Sequence, residues 1–495
     1  FSGGLELESS QYLDPYGYNL LNYNLSGPIL RNKKGISVLG YRLSGQLRRQ
    51  EDDNPSATGT YYANKNSLSD LEQNPIIRQS GVPLSKAEFL NQSEVTLSRK
   101  QLFETNSRMD FTGKIDARLS EAIDISFTGA YGNTANRFSP NRQWDLLNYE
   151  NNPINNANNY RVGLKFRHRL DLNAAELVTS KGKKKKGDNR LLRNGIYTVQ
   201  ALYEKGYSRV EDYLHGDNLF NYGYVGNFDI SWIPVEGEST YSRGPVPGLA
   251  HAGYLQQLNK YTPGSVNPTL ANYNAGLDGN NLFDYFTYNG FTSSNFNSVW
   301  RLHNNIGSIY NQFTKNENDI LTFNGETSFD LFPGGSDKGR HNIQLGFIYE
   351  QRETRSWGIN PNALWTIARL QANNHIKGVD TTKVIGSFKG VLTPYDYEKF
   401  QTKTEEDNDL LFYKKIREAT GQSLNEYVNV DGLDPSMLKL NMFAASELTD
   451  QAILDYFGYD YLGNKLKGKS NFNDFFTAVD ADGRRTFQVA PNTPT

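Results

Sequence analysis

Arg108-Met109-Asp110-Phe111-Thr112-Gly113-Lys114-Ile115-Asp116-Ala117-Arg118-Leu119 is the stretch whose reading decides the fold. Met109, Phe111, Gly113, Ile115, Ala117 and Leu119 take every second position, and Arg108, Asp110, Thr112, Lys114, Asp116 and Arg118 fill the positions between. A helix would scatter both sets around its circumference, whereas a strand points one set to each face. The run has the length that a tilted strand needs to cross a bilayer, with lipid on one face and water on the other.

Working outward, Ile36 to Arg48 repeats the pattern. Leu39, Tyr41, Leu43, Gly45 and Leu47 oppose Gly40, Arg42, Ser44, Gln46 and Arg48. Weaker copies lie at Ile123 to Tyr131, Tyr160 to Leu170, Tyr197 to Lys205, Leu321 to Leu331 and Ile343 to Arg352. With Phe1 to Ser9 and Tyr18 to Ser26, about nine strands are expected.

After the first connection, Ser10 to Gly17, the links largely alternate between short and long. Pro28 to Gly35, Ser120 to Ala122 and the Gly-rich turn after Leu331 are short; residues 50–107, 132–159, 210–319 and Glu353 to the end are long. Turns on one side and loops on the other are the asymmetry of outer-membrane barrels, and a soluble sandwich has no reason to keep it. Asp171 to Asn194 breaks the parity. It carries Lys181 and the run Lys183 to Lys186, read as a solvated turn in preference to a nucleic-acid or anionic-lipid contact. Tyr222 to Trp232 would reverse every later strand and is placed as a local hairpin within the 210–319 loop. Helices are expected near Asp409 to Thr420 and Ser436 to Phe457.

Composition agrees with this reading. A mean hydropathy of -0.65 is poor for several compact cores, yet 31 Tyr and 27 Phe suit aromatic girdles around a polar lumen. No window approaches 18 consecutive apolar residues, so a membrane protein with this sequence crosses with strands. Zero Cys leaves no disulfide framework, thiol nucleophile or zinc cluster, and a net charge of -2 gives no reason to expect nucleic acid. Phe1 opens a strand-like run without an initiator Met or charged leader, so the chain is expected to begin inside a longer precursor.

Several patches resemble a known family. Phe1-Ser2-Gly3-Gly4-Leu5-Glu6, Leu13-Asp14-Pro15-Tyr16-Gly17-Tyr18-Asn19 and Leu25-Ser26-Gly27-Pro28-Ile29 resemble the start of the barrel in large Bacteroidetes TonB-dependent receptors, the SusC/RagA-like outer-membrane transporters. So do Tyr222 to Phe228, Tyr261 to Pro268 and Leu345 to Arg352. The resemblance implies an all-β fold: a transmembrane antiparallel β-barrel of about 22 strands with a plugged lumen and long, partly helical extracellular loops. Residues 1–354 would form the first part of that barrel and 355–495 a long extracellular region, with the plug and remaining strands outside this chain. It further implies the outer membrane of a Gram-negative bacterium, contact with its lipid, energisation by the TonB system, and a SusD-like surface lipoprotein or other envelope proteins as partners. The expected function is import of a large nutrient such as an oligosaccharide, oligopeptide or metal chelate. The alternative is a receptor-like barrel serving as a structural subunit of an assembly, secretion or surface complex.

No catalytic constellation, cofactor motif or metal set emerges, and the chain is not read as an enzyme. The six histidines (His168, His215, His251, His303, His341, His375) form no pair at ligand spacing. Asp480-Ala481-Asp482-Gly483 starts like a calcium loop but lacks its later ligands, and is read as a turn. Trp300, Trp357 and Trp365 could stack on a sugar or peptide, yet packing within the loops is the plainer reading. Glu405 to Asp409 is read as a solvated acidic face. No individual substrate-binding residue is assigned.

Overall fold

The computed structural model describes residues 1–170, 191–238, 249–277, 305–333, 339–373, 379–384, 400–402, 410–423, 426–449, 451–466, 478–479 and 485–486. Its central feature is one antiparallel sheet whose strands pair in chain order: β1 (Ser2–Ser9), β2 (Asn19–Arg31), β3 (Ser37–Gln50), β4 (Asn106–Arg118), β5 (Ile123–Arg137), β6 (Ile154–Arg169), β7 (Leu192–Glu211), β8 (Phe313–Leu331), β9 (His341–Ile359) and the short β10 (Leu454–Phe457). All nine expected strands are present. Among the described residues β1 and β10 do not pair, so the sheet is open.

The register keeps alternation in phase from strand to strand. Ile115 of β4 lies opposite Tyr41 and Phe127; Phe127 lies opposite Leu164, Leu164 opposite Ala201, Ala201 opposite Phe323, and Phe323 opposite Tyr349. One apolar face therefore continues from β3 to β9. Rings cover two of the glycines on it. Tyr23 lies over the site where Gly45 would carry a Cβ, and Phe347 does the same at Gly325, so a larger residue at either position would displace an aromatic. The other face is polar, and no second layer of the described chain covers the apolar one. Leu164, Leu345 and Phe347 are exposed. The apolar residues that are buried on this sheet, Leu20, Phe313, Trp357, Ile359, Leu454 and Tyr456, all lie towards the end where the long connections emerge.

The strands run further than the sequence indicated. β5 continues to Arg137, β6 begins at Ile154, β7 reaches Glu211, β8 begins at Phe313 and β9 ends at Ile359. Beyond the apolar stretch both faces are polar or covered by loops, so alternation vanishes while the hydrogen-bond ladder goes on. The long connections shrink accordingly to 51–105, 138–153 and 212–312, and the boundary drawn at 354/355 falls inside β9. The region after Glu353 is not all loop, because β10 adds a tenth strand against the top of β9.

The long connections interlock as a cap. Within residues 51–105 a helix, α1 (Lys65–Gln73), is capped by the Asn64 side chain accepting from Ser67 N at 2.9 Å. Its Leu68 and Leu71 join Tyr62, Leu147, Tyr149 and Ile306 in a cluster drawn from three connections. Gly226–Glu238 and Leu249–Pro263 form a hairpin, as placed for Tyr222 to Trp232. The helix α2 (Pro268–Ala275) packs on it through Leu270 and Tyr273.

The largest cluster joins Phe220, α3 (Ala363–Ala372) and α4 (Leu411–Thr420) to the tops of β8 to β10. Of the helix expected near Ser436 to Phe457 only one short piece forms. Asp434 and Pro435 start a three-residue turn, a second follows at Leu440–Met442, and Ala445–Thr449 makes one short helix before β10. The apolar residues there reach the core from separate turns, with Phe443 stacked on Phe412 at 4.1 Å.

Two cations, Arg417 buried and Arg369 half-buried, fasten this part. Arg417 donates to the carbonyls of Ala372 (2.6 Å), Tyr413 (3.2 Å), Ser423 (3.1 Å) and Glu426 (2.7 Å), closing the C-terminal end of α4. Arg369 of α3 forks onto the buried carboxylate of Asp431 at 2.6 to 2.9 Å. Removing one partner of such a pair leaves a buried charge uncompensated. Arg369→Leu is expected to destabilise the cap by about 3–5 kcal/mol, measured as faster proteolysis of the cap in the purified protein. The double change Arg369→Leu with Asp431→Leu should recover most of that loss.

Candidate functional site

The polar face of β3 to β9 is the broadest surface carrying organised hydrogen-bonding chemistry. One row across it reads Gln46, Asp110, Gly132, Asn159, Gly206, Asn318 and Thr354. Here polar side chains alternate with glycines. A Cβ at Gly132 would stand 3.1 Å from Asp110 Oδ1, and one at Gly206 3.1 Å from Asn159 Oδ1, so each side chain lies across the next strand's glycine. The result is a shallow recess of about 450 Å³, bordered by Arg108, Asp110, Arg161 and Glu204. Glycine within a strand permits close approach of a ligand or another backbone. Arg161 is held by Glu204 at 3.0 Å, and Arg108 Nε donates to Asp110 at 2.7 Å.

Towards the short turns this wall becomes basic on β3 to β6. Asp124 receives Arg167 at 2.7 Å, Arg169 at 3.1 Å and Arg118 at 3.4 Å. Lys114 pairs with Asp116 at 2.8 Å. These charged groups leave no trace as a motif in the sequence, because they are spread over three strands, three on β4, one on β5 and two on β6.

On the cap, a second cavity of about 740 Å³ opens between residues 217–221, 434–441 and 462–464. Leu219, Leu438 and Leu440 give it an apolar floor, and Asn218, Asn441 and Lys439 supply polar groups.

The structure places the sequence candidates away from both surfaces. Trp357 is buried, edge-on to Phe313, with its indole N–H donating to the Tyr461 carbonyl at 3.1 Å. Trp365 is buried against Phe220 and Tyr224 and donates to the Phe220 carbonyl at 2.7 Å. Both are cap core. Of the histidines, His168 faces Tyr197 Oη at 3.0 Å, His215 is buried with Nε2 2.8 Å from Asn267 Oδ1, and His341 begins β9. No group of three or more His, Cys, Asp or Glu able to hold a metal occurs among the described residues. Trp300, Lys181 to Lys186, Glu405 to Asp409, Asp480 to Gly483 and the side chains of His251, His303 and His375 lie outside the described residues.

At the root of the cap, Glu104 accepts from Ser139 N at 3.1 Å. Burial pushes its carboxyl up to about 7, against the backbone hydrogen bond, and the charges of Asp145 and Asp52 push the same way. Burial likewise raises Asp145. Between the ordinary value of 4.5 and about 7 the folded cap holds a proton on Glu104 that the unfolded loop lacks. This group's contribution to stability therefore falls as pH rises through that window. Cap proteolysis should be slower at pH 5.5 than at pH 8, and Glu104→Gln should flatten the difference.

No family model matches the chain, and no curated protein matches it. Among solved structures it is similar to the siderophore receptor PiuA from Acinetobacter baumannii at 9% identity and a TM-score of 0.24. That likeness covers 70% of this chain, which spans 40% of the receptor's length. A likeness at this level leaves the functional reading to the chain's own strands.

Proposed function

We propose that this chain forms part of the wall and surface cap of a TonB-dependent outer-membrane transport barrel of the SusC/RagA-like kind, which imports a solute too large for general porins. The observation that carries the reading is the uncovered sheet: apolar across one face, polar across the other, with its long connections, apart from the one between β6 and β7, gathered at one end. Lipid would cover the first face, water the second, and the loops would stand outside the cell. No helix among the described residues is long and apolar enough to cross a membrane, so crossing falls to the strands.

A slanted aromatic line adds support. Tyr23, Phe111, Tyr131 and Tyr160 follow the register on β2, β4, β5 and β6, but the next residues in that row are Lys205, Asp319 and Glu353. On β7 and β9 the uppermost exposed aromatics are instead Tyr203 and Tyr349, nearer the short turns. Strands tilted from the bilayer normal make a hydrogen-bonded row climb out of the apolar band in this way. The open edges are the places where further strands would close the wall. A periplasmic TonB system would drive release of cargo, and a SusD-like lipoprotein would cover the cap.

Isolation of the full-length protein from native outer membranes in mild detergent, with mass spectrometry of what stays bound, tests the assignment. A surface lipoprotein and a small ligand support import; a fixed set of secretion or assembly proteins points to a structural subunit. A form that is soluble without detergent and has no heat-modifiable band would sink the barrel. Orientation is tested by substitution. Leu164→Lys on the apolar face should cost about 2–4 kcal/mol in lipid, while Thr322→Lys on the polar face should stay within about 0.5 kcal/mol, both read by urea unfolding in vesicles.

A further inference from the structure

We infer that the polar face of β3 to β6 is a track for anionic solutes bearing carboxylate or phosphate groups, which rests on the barrel reading and gives its cargo a chemical class. The register places two like-charged pairs on the same two strands: Arg42 lies directly opposite Lys114, and Arg48 directly opposite Arg108. Like charges directly opposite one another destabilise a sheet. Asp110 relieves Arg108, and Asp116 pairs with Lys114 and also attracts Arg42, so one carboxylate serves two cations; Arg42 is exposed and donates no hydrogen bond to another described residue. Arg48 Nε is buried and meets no acceptor among the described residues.

The imbalance continues towards the short turns. Lys165 is exposed in the row next to Arg42 and Lys114, and one carboxylate, Asp124, serves the three guanidiniums of Arg118, Arg167 and Arg169. In the same rows β7 to β9 carry Glu326 and Glu350 and no base. In these rows the wall is thus polarised, positive on β3 to β6 and negative on β7 to β9, and the recess beside Arg108 and Arg161 reaches from the positive half to Glu204 of β7 and Asn318 of β8. A wall of one sign concentrates the opposite ion, and guanidiniums match carboxylate and phosphate oxygens in pairs. An anion between Arg42, Lys114 and Lys165 would remove the repulsion that the unliganded wall bears.

Calorimetric titration of the detergent-extracted protein with citrate, with inorganic phosphate and with neutral maltotriose tests this. Citrate and phosphate should bind with heats that fade in high salt, and maltotriose should give none through this wall. The double variant Arg42→Gln with Lys165→Gln should weaken citrate binding about tenfold or more while its urea midpoint stays level or rises. A wild-type protein that takes maltotriose as well as citrate, or a variant that keeps full citrate affinity, would overturn the track. A heat-modifiable band run on the same sample keeps that outcome separate from failure of the barrel itself.

Discussion

The cross-strand hydrogen-bond ladder is the interaction on which everything else depends, because the sheet has no second layer to hold it. In a sandwich, side chains packed between two sheets would fix strand positions even if a ladder loosened. Here Leu43, Ile115, Phe127, Leu164 and Phe347 stand on a face that no described segment covers, so backbone pairing, helped by side-chain contacts between adjacent strands, holds neighbours together. A slip of one residue would move every arginine of β4 to the apolar side and every leucine of β3 to the polar one. The irregularities that occur, at Pro28/Leu30 and Leu30/Arg31 between β2 and β3 and at Arg193/Ile196 between β7 and β8, sit near the short turns and leave the two faces intact above them.

The cap obeys different physics. It has closed clusters with buried aromatics such as Trp365, Tyr413 and Phe443, and main-chain groups answer key buried polar side chains: Arg417 by four carbonyls, Asn148 by the Asn305 carbonyl at 2.9 Å and the Ser308 N–H at 2.9 Å. It is a small globular core whose pieces happen to be inserted between strands. Its connection to the sheet is made by residues such as Trp357 and Ile359, which belong to β9 by hydrogen bonding and to the cap by packing.

What was legible in the sequence follows from this division. Where one face is apolar and the other polar, as at Met109 to Leu119, alternation is written directly into the residue types. Asn155 to Asn159 are equally part of β6 but polar on both sides, so composition could not separate them from loop. β10 has four residues, too few to show a period. The run from Met437 to Phe443 has apolar residues at helix-like spacing, and only the turns begun by Asp434-Pro435 and Lys439 show that they come from separate bends. The charged wall was hidden for another reason. Arg42 and Lys114 become neighbours through register across a long connection, and no local window contains both.

The one-sided placement of the long connections also orders assembly in time. Each short turn joins two strands that can zip together as a hairpin soon after they meet, since little chain entropy is lost in bringing them together. The cap has no such early step. One of its clusters draws Tyr62 from one connection, Leu147 from another and Ile306 from a third, so it cannot close until strands on both sides of all three have been threaded to the same end. Rigid-sheet formation and cap formation are therefore separate kinetic events. The second reports completion of the first, so a folded cap is a built-in certificate that the strands beneath it are in place.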